Sequence, residues 1–150
     1  RELMNMTSQL AQKSGSIGTL LGRRCRFDKW EIAEWNNGKF TAPMSKPDAE
    51  AAYFEKYPKA SKANIRRAMT YKALNKLIQG SAADMTKKAM LDLYNEGIIP
   101  HIQIHDELDI SIESEEQAKK IIEIMENAVT LAVPNKVDYE YGKTWGEING

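Results

Sequence analysis

The chain has a single cysteine, Cys25, and that scarcity excludes an internal disulfide and a cysteine-rich zinc site. It fits a reducing compartment. No apolar run approaches the roughly 18 residues that a membrane helix needs, and no leader-peptide pattern opens the sequence. Internal repeats and low-complexity tracts are also absent. Net charge is missing too, because 21 Lys and Arg balance 21 Asp and Glu. A neutral chain argues against a polyanionic partner, but the balance is not local. Residues 1–75 hold 14 basic against 7 acidic side chains, and residues 76–150 hold 7 against 14. A basic front suited to a polyanion and an acidic rear suited to a cation therefore share one chain. Chance clustering around one acidic surface helix gives the same count. The 150 residues suffice for a domain with a real core, and a start at Arg1 rather than Met is expected of a piece of something longer.

What is present centres on Ile102-Gln103-Ile104-His105-Asp106-Glu107-Leu108-Asp109-Ile110. Ile102 and Ile104 alternate with polar residues before a charged elbow, and Leu108, Ile110 and Ile112 alternate after it. That period of two predicts a half-buried strand on each side. Paired as a hairpin, the strands put His105 and Asp106 at a tight connection, with Glu107 entering the second strand. Adjacent carboxylates raise each other's pKa unless a cation or hydrogen-bond donors compensate. A solvated acidic turn and a divalent-metal site on a rigid hairpin both satisfy the pattern, since hard cations take carboxylate oxygens.

Elsewhere, residues 1–13 read as a helix through Leu3, Met6 and Leu10, stopped by Gly15. Residues 15–26 combine glycines that let a backbone turn sharply with Arg23, Arg24 and Arg26, an anion site or a solvated basic turn. Trp30 and Trp35 are expected to pack locally, and Asn36-Asn37-Gly38-Lys39 to turn. Pro47-Asp48-Ala49-Glu50 predicts a helix start, with an end near Lys56. Lys59, Lys62, Arg66 and Arg67 form a basic face for phosphates or for water. The longest periodic segment runs from about Ala63 to Tyr94, with Leu74, Leu77, Ile78, Ala82, Met85, Ala89 and Leu93 on its buried side. Tyr71, Asn75 and Gln79 fall on another stripe at i, i+4, i+8. Such donors suit minor-groove acceptors common to every base pair, and equally suit an exposed polar face. Gly80 permits close approach of another element, and Gly97 closes the helix. Ser114-Glu115-Glu116-Gln117 is a capping box opening a helix that buries Ala118, Ile121, Ile122, Met125 and Val129. Val137, Tyr139 and Tyr141 alternate as a final strand of the same sheet.

Four of these stretches, in this order, resemble motifs of the family A DNA polymerases, the bacterial polymerase I and related phage enzymes. His105-Asp106-Glu107 between two strands resembles the third catalytic motif. Leu74-Asn75-Lys76-Leu77-Ile78-Gln79-Gly80-Ser81-Ala82-Ala83-Asp84 resembles the helix under the primer–template minor groove. Gly18-Thr19-Leu20-Leu21-Gly22-Arg23-Arg24 is similar to a Glu-Thr-Leu-x-Gly-Arg-Arg signature, with Gly18 in place of the Glu. Tyr141-Gly142-Lys143-Thr144-Trp145 is similar to the family's Gly-x-x-Trp ending. Many members carry Arg four residues before the Asn, where this chain has Tyr71, able to donate one hydrogen bond but no charge-assisted one. Residues 27–62 match no motif and read as an insertion.

The resemblance implies an α+β fold: a partial polymerase fold in which an antiparallel palm sheet carries the catalytic hairpin, with one long helix and flanking helices. Residues 1–65 are expected to form the end of a fingers-like helical region, insertion included, and residues 66–150 a palm-like subdomain. The implied reaction is DNA-directed DNA synthesis, nucleotidyl transfer to a primer 3′-hydroxyl through two Mg²⁺ ions about 3.5–4 Å apart. Asp106 is the implied metal-binding carboxylate, Glu107 its weaker neighbour, and His105 a neighbour of the primer terminus. Tyr71, Asn75 and Gln79 are implied at the minor groove, and Arg23 and Arg24 at template or primer phosphates. Implied partners are primer–template DNA, deoxynucleoside triphosphates and an N-terminal part of the polymerase in the same or a separate chain, with no membrane. That part holds the other essential Asp and the triphosphate-binding helix, so the 150-residue chain alone is expected to be inactive. The expected location is the cytoplasm of a bacterium or phage-infected cell. Two rival readings use fewer of these residues. A non-catalytic DNA-binding or processivity module has no need of Asp106, and a metal-dependent nuclease needs carboxylates beyond Asp106, Glu107 and Asp109.

Overall fold

The spacing of Leu3, Met6 and Leu10 does mark a helix, and α1 spans Glu2–Ser14 in a computed structural model that describes residues 1–34 and 41–148. Trp35 and the turn expected at Asn36–Lys39 lie outside the described residues. The side of α1 that packs is the other one. Thr7 and Ala11 are buried, whereas Leu3, Met6 and Leu10 are each more than half exposed. Gly15 stops the helix at φ 75°, a left-handed conformation in which its N–H still reaches the Ala11 carbonyl. β1 (Ser16–Gly18) and β2 (Arg24–Arg26) pair antiparallel, with Ile17 opposite Cys25. Those two side chains turn inward onto Ala11, Phe27, Ala73 and Leu77, the first core. Arg24 and Arg26 occupy the alternate, exposed positions.

Next come β3 (Trp30–Ile32), α2 (Lys46–Lys56) and β4 (Ile65–Arg67). α2 begins and ends where Pro47 and Pro58 predict, and the Ser45 hydroxyl caps it by accepting the Asp48 N–H. The helix expected from Ala63 starts later. β4 is extended and pairs antiparallel with β3, placing Arg66 opposite Glu31, whose buried carboxylate accepts the Arg66 Nε–H at 2.7 Å. Met69, at φ 60°, then interrupts the helical path, and a single 3₁₀ turn over Thr70–Lys72 leads into α3 (Ala73–Asn95). Helical spacing could not reveal a strand partner 35 residues upstream. The free edge of β4 is closed by the Gln12 carboxamide. It accepts the Arg67 N–H at 2.9 Å and donates to the Arg67 carbonyl at 2.7 Å and the Thr70 hydroxyl at 2.8 Å.

The chain divides into two compact units, Arg1–Ser81 and Ala82–Gly150. α3 contributes to a different core at each end: Ala73 and Leu77 to the first, and Leu93 to a second built on Leu93, Ile98 and Ile121. Between those ends Ile78 and Ala82, expected on the buried side, are exposed. Gly97, at φ 76°, ends α3; its N–H bonds the Tyr94 carbonyl while the Ile98 N–H bonds the Leu93 carbonyl, a Schellman motif. The serine half of the capping box forms: Ser114 accepts the Gln117 N–H, while the Gln117 carboxamide oxygen accepts the N–H of Glu113, one residue before the cap; α4 (Glu115–Asn127) opens there with Ala118 and Ile121 buried.

The strand expected over Val137–Tyr141 is not formed. Its backbone has no ladder partner among the described residues; the Val137 N–H bonds instead to the Glu126 carboxylate of α4 at 3.2 Å. Tyr139 and Tyr141 are exposed. α5 (Trp145–Ile148) ends the described chain. The class is α+β, and among the described residues the strands form two-stranded antiparallel pairs rather than one continuous sheet.

Candidate nucleic-acid and metal-binding site

In the second unit, β5 (Ile102–Ile104) and β6 (Glu107–Asp109) pair antiparallel, so only His105 and Asp106 connect them. His105 takes φ 54°, the left-handed conformation that a two-residue hairpin asks of its first central position. The Gln103 side-chain amide donates to the His105 carbonyl at 2.6 Å and braces the turn. Residues directly opposite in the ladder share a face, so Ile104 stands beside Glu107 and Ile102 beside Asp109, while Leu108 lies across from Gln103. Leu108 and Ile110 pack on the second core. The two apolar alternations thus occupy opposite faces: Leu108 and Ile110 meet the core, and Ile102 and Ile104, expected to be half-buried, are exposed on the other face. His105, Asp106 and Glu107 all face solvent.

Asp106 and Glu107 are the hard oxygen donors that Mg²⁺ accepts, an ion that keeps several waters and is often held by one or two carboxylates plus substrate phosphates. The donor set fits such an ion in kind. Among the described residues, no group of three or more His, Cys, Asp or Glu side chains comes together to hold one.

In the first unit, Asn75 and Gln79 lie one turn apart on α3 with exposed side chains. Tyr71, 62% exposed, precedes them on the 3₁₀ turn rather than on α3 itself. Two residues not singled out from the sequence flank this row: exposed Lys72, its ammonium 5.7 Å from the Tyr71 ring centroid, and exposed Lys76, 5.1 Å from that of Phe27. Their signal was available, since each follows a member of the polar row by one position. Gly80 permits the close approach expected of it. A Cβ there would lie 2.8 Å from Thr19 Cγ2, and the Leu20 N–H bonds the Ser81 hydroxyl at 2.9 Å. Arg23 sits at this junction, donating from Nη2 to the Gly80 carbonyl at 2.9 Å, so the β1–β2 turn is brought up against the residue after Gln79. Arg24 projects from β2 opposite Gly18.

Arg66 and Arg67 are not part of a solvated helical face. Arg66 pairs with Glu31, and Arg67 donates to the Phe27 carbonyl at 2.8 Å with its guanidinium 4.8 Å from the Trp30 ring centroid. Trp30, expected to pack locally, instead packs against Arg67 of the partner strand β4 and Lys46 of α2. No helix among the described residues is long and apolar enough to cross a membrane.

Among known proteins, the family model described as DNA polymerase family A matches residues 1–147. A DNA-directed DNA polymerase of Pseudomonas phage M6 is 33% identical over all 150 residues, which cover 18% of that protein. DNA polymerase I of Bacillus caldotenax is 46% identical over 91 residues, 55% of this chain and 10% of the relative. The chain thus spans less than a fifth of the length of these relatives. A solved structure of the polymerase domain of Pol1 from M. smegmatis, in complex with DNA primer-template and dNTP, superposes with a TM-score of 0.65 at 27% identity, covering 100% of this chain and 23% of that one.

Proposed function

The chain belongs to DNA polymerase family A, and from that premise we propose that it forms the C-terminal part of a DNA-directed DNA polymerase, with residues 1–65 as the end of the fingers and 66–150 as most of the palm. One observation carries the reading: a two-residue turn on an antiparallel ladder holds Asp106 and Glu107 adjacent and open to solvent. In this reading Asp106 ligates Mg²⁺, Glu107 is the weaker ligand beside it, and His105 adjoins the primer terminus. Bound Mg²⁺ supplies charge neutralisation at the phosphoryl group being transferred. The side chains of the first unit hold the substrate. Asn75 and Gln79 donate to minor-groove acceptors common to every base pair, Tyr71 adds a phenolic donor, and Arg23 and Arg24 with Lys72 and Lys76 neutralise backbone phosphates. Primer–template DNA and deoxynucleoside triphosphates are the substrates.

Two carboxylates do not complete such a site. The remaining essential carboxylate and the triphosphate-binding side chains come, in this proposal, from an N-terminal part of the polymerase in the same or a separate chain. Exposed Leu3, Met6 and Leu10, together on one side of α1, support it, since apolar side chains gathered on one surface mark an interface. The chain alone is then inactive, and the complete enzyme works in the cytoplasm of a bacterium or phage-infected cell. Primer extension with Mg²⁺ and four deoxynucleotides tests the proposal, on the chain alone and on the complete polymerase with and without Asp106→Asn. Extension by the complete enzyme only, lost on Asp106→Asn, is expected. Extension by the isolated chain sinks the shared-site proposal, and extension that survives Asp106→Asn removes Asp106 from the chemistry.

A further inference from the structure

The C-terminal end of α2 is used by nothing in that reading, yet it is built like a binding surface. Tyr53, Lys56, Tyr57, Pro58, Lys59 and Ala60 line a shallow groove of about 430 Å³. The Tyr53 ring stands 5.0 Å from that of Tyr57 and 6.0 Å, edge-on, from that of Phe54, which is 39% exposed. Tyr57 is locked in place. Its hydroxyl donates to the Glu34 carboxylate at 2.8 Å, and the same carboxylate accepts the Lys56 ammonium at 2.9 Å. That ammonium also lies 5.1 Å from the centroid of the Tyr57 ring. The bond to Glu34 keeps Lys56 charged, its pKa raised first by this hydrogen bond and then by Tyr57. Lys59 and Lys62 beyond it are exposed, and residues 46–67 hold six Lys or Arg against three Asp or Glu.

We propose that this groove binds a single-stranded polynucleotide, with a base stacked against Tyr53 and Tyr57 and a phosphate on Lys59. Aromatic faces beside a cationic rim hold single strands without reading sequence, because every base has a π-face and every nucleotide a charge. An enclosed small molecule calls for a deeper pocket, and a duplex keeps its base faces stacked internally. The occupant is therefore an unpaired strand. The inference rests on the reading that this chain acts on nucleic acid, and it gives the segment without a family motif a task separate from that of Asn75, Gln79 and Asp106.

The test uses the 150-residue chain and a fluorescent oligothymidylate carrying 5-iodouracil. Ultraviolet crosslinks are expected on a peptide containing Tyr53 or Tyr57. Binding anisotropy should show affinity falling at least about fivefold for Tyr53→Leu. For Lys59→Gln, an exposed site that leaves folding intact, the log–log salt slope should shrink by about 0.7. Crosslinks confined to other peptides, or unchanged affinity and slope in both variants, overturn the proposal. Neither result depends on Mg²⁺ or Asp106. Oligonucleotide held at the groove by a complete polymerase that cannot extend a primer would keep this inference and remove the polymerase reading; extension with an empty groove does the reverse.

Discussion

Gly80→Ala sets two effects of opposite sign against each other. In an exposed helix interior the change stabilises by about 1 kcal/mol, because alanine gives up less backbone entropy. Here the new methyl would sit 2.8 Å from Thr19 Cγ2 and 3.4 Å from Arg23 Nη2. Arg23 can move aside. Thr19 cannot do so cheaply, being buried, with its hydroxyl accepting the Arg23 N–H at 3.0 Å. Rotating Thr19 gives up that bond, worth about 1 kcal/mol, and overpacking adds about 1–3 kcal/mol. The net expectation is a loss of about 1–3 kcal/mol in urea unfolding. Thr19→Ser removes the offending methyl and keeps the hydroxyl, so the Thr19→Ser/Gly80→Ala double variant should recover most of that loss, a coupling of about 1–3 kcal/mol. If Gly80→Ala alone raises stability, or if Thr19→Ser fails to rescue it, the close seat of the β1–β2 turn on α3 is wrong.

Gln12→Ala should destabilise by about 2 kcal/mol, since three hydrogen bonds at a part-buried strand edge are lost together; Gln12→Glu should also destabilise, because a carboxylate cannot donate to the Arg67 carbonyl, and equilibrium unfolding of both variants checks the pair. The Glu126 carboxyl is held below its ordinary value of 4.5, first by the Val137 N–H and then by Lys136. A depressed folded-state pKa contributes stability that is fully present above the ordinary value and is lost as pH falls from there through the folded-state pKa. The stability gap between the native chain and Glu126→Gln should therefore be constant well above the ordinary value of 4.5 and close as pH falls below it; a gap that widens on acidification contradicts the assignment.

The β5–β6 hairpin is legible in residues 102–110 because both its period of two and its charged two-residue connection are local. So are the glycine that stops α1, the proline at the start of α2 and the serine cap of α4. What stays hidden depends on partners far along the chain. Nothing near Ile65 announces that it pairs with Ile32, and the helical spacing of its neighbours points the other way. The stripe of Leu3, Met6 and Leu10 gives the period of α1 correctly and its buried face wrongly, because periodicity does not say which side meets a core. The polar row of the first unit and the acidic turn of the second can each be read residue by residue. The engagement of Arg23 with Gly80 and of Arg66 with Glu31 cannot, since an arginine-rich run does not show which of its guanidiniums also bond within the protein.

The shortness of the His105–Asp106 connection also constrains how this region can change over time. A two-residue link fixes the pairing register, and a shift of one position along either strand exchanges the faces of the ladder. Leu108 would leave the core and Glu107 would enter it. The bearing of the carboxylates and the packing beneath them are thus one inherited unit: substitutions can adjust it, but insertions and deletions cannot pass through it without dismantling the second core.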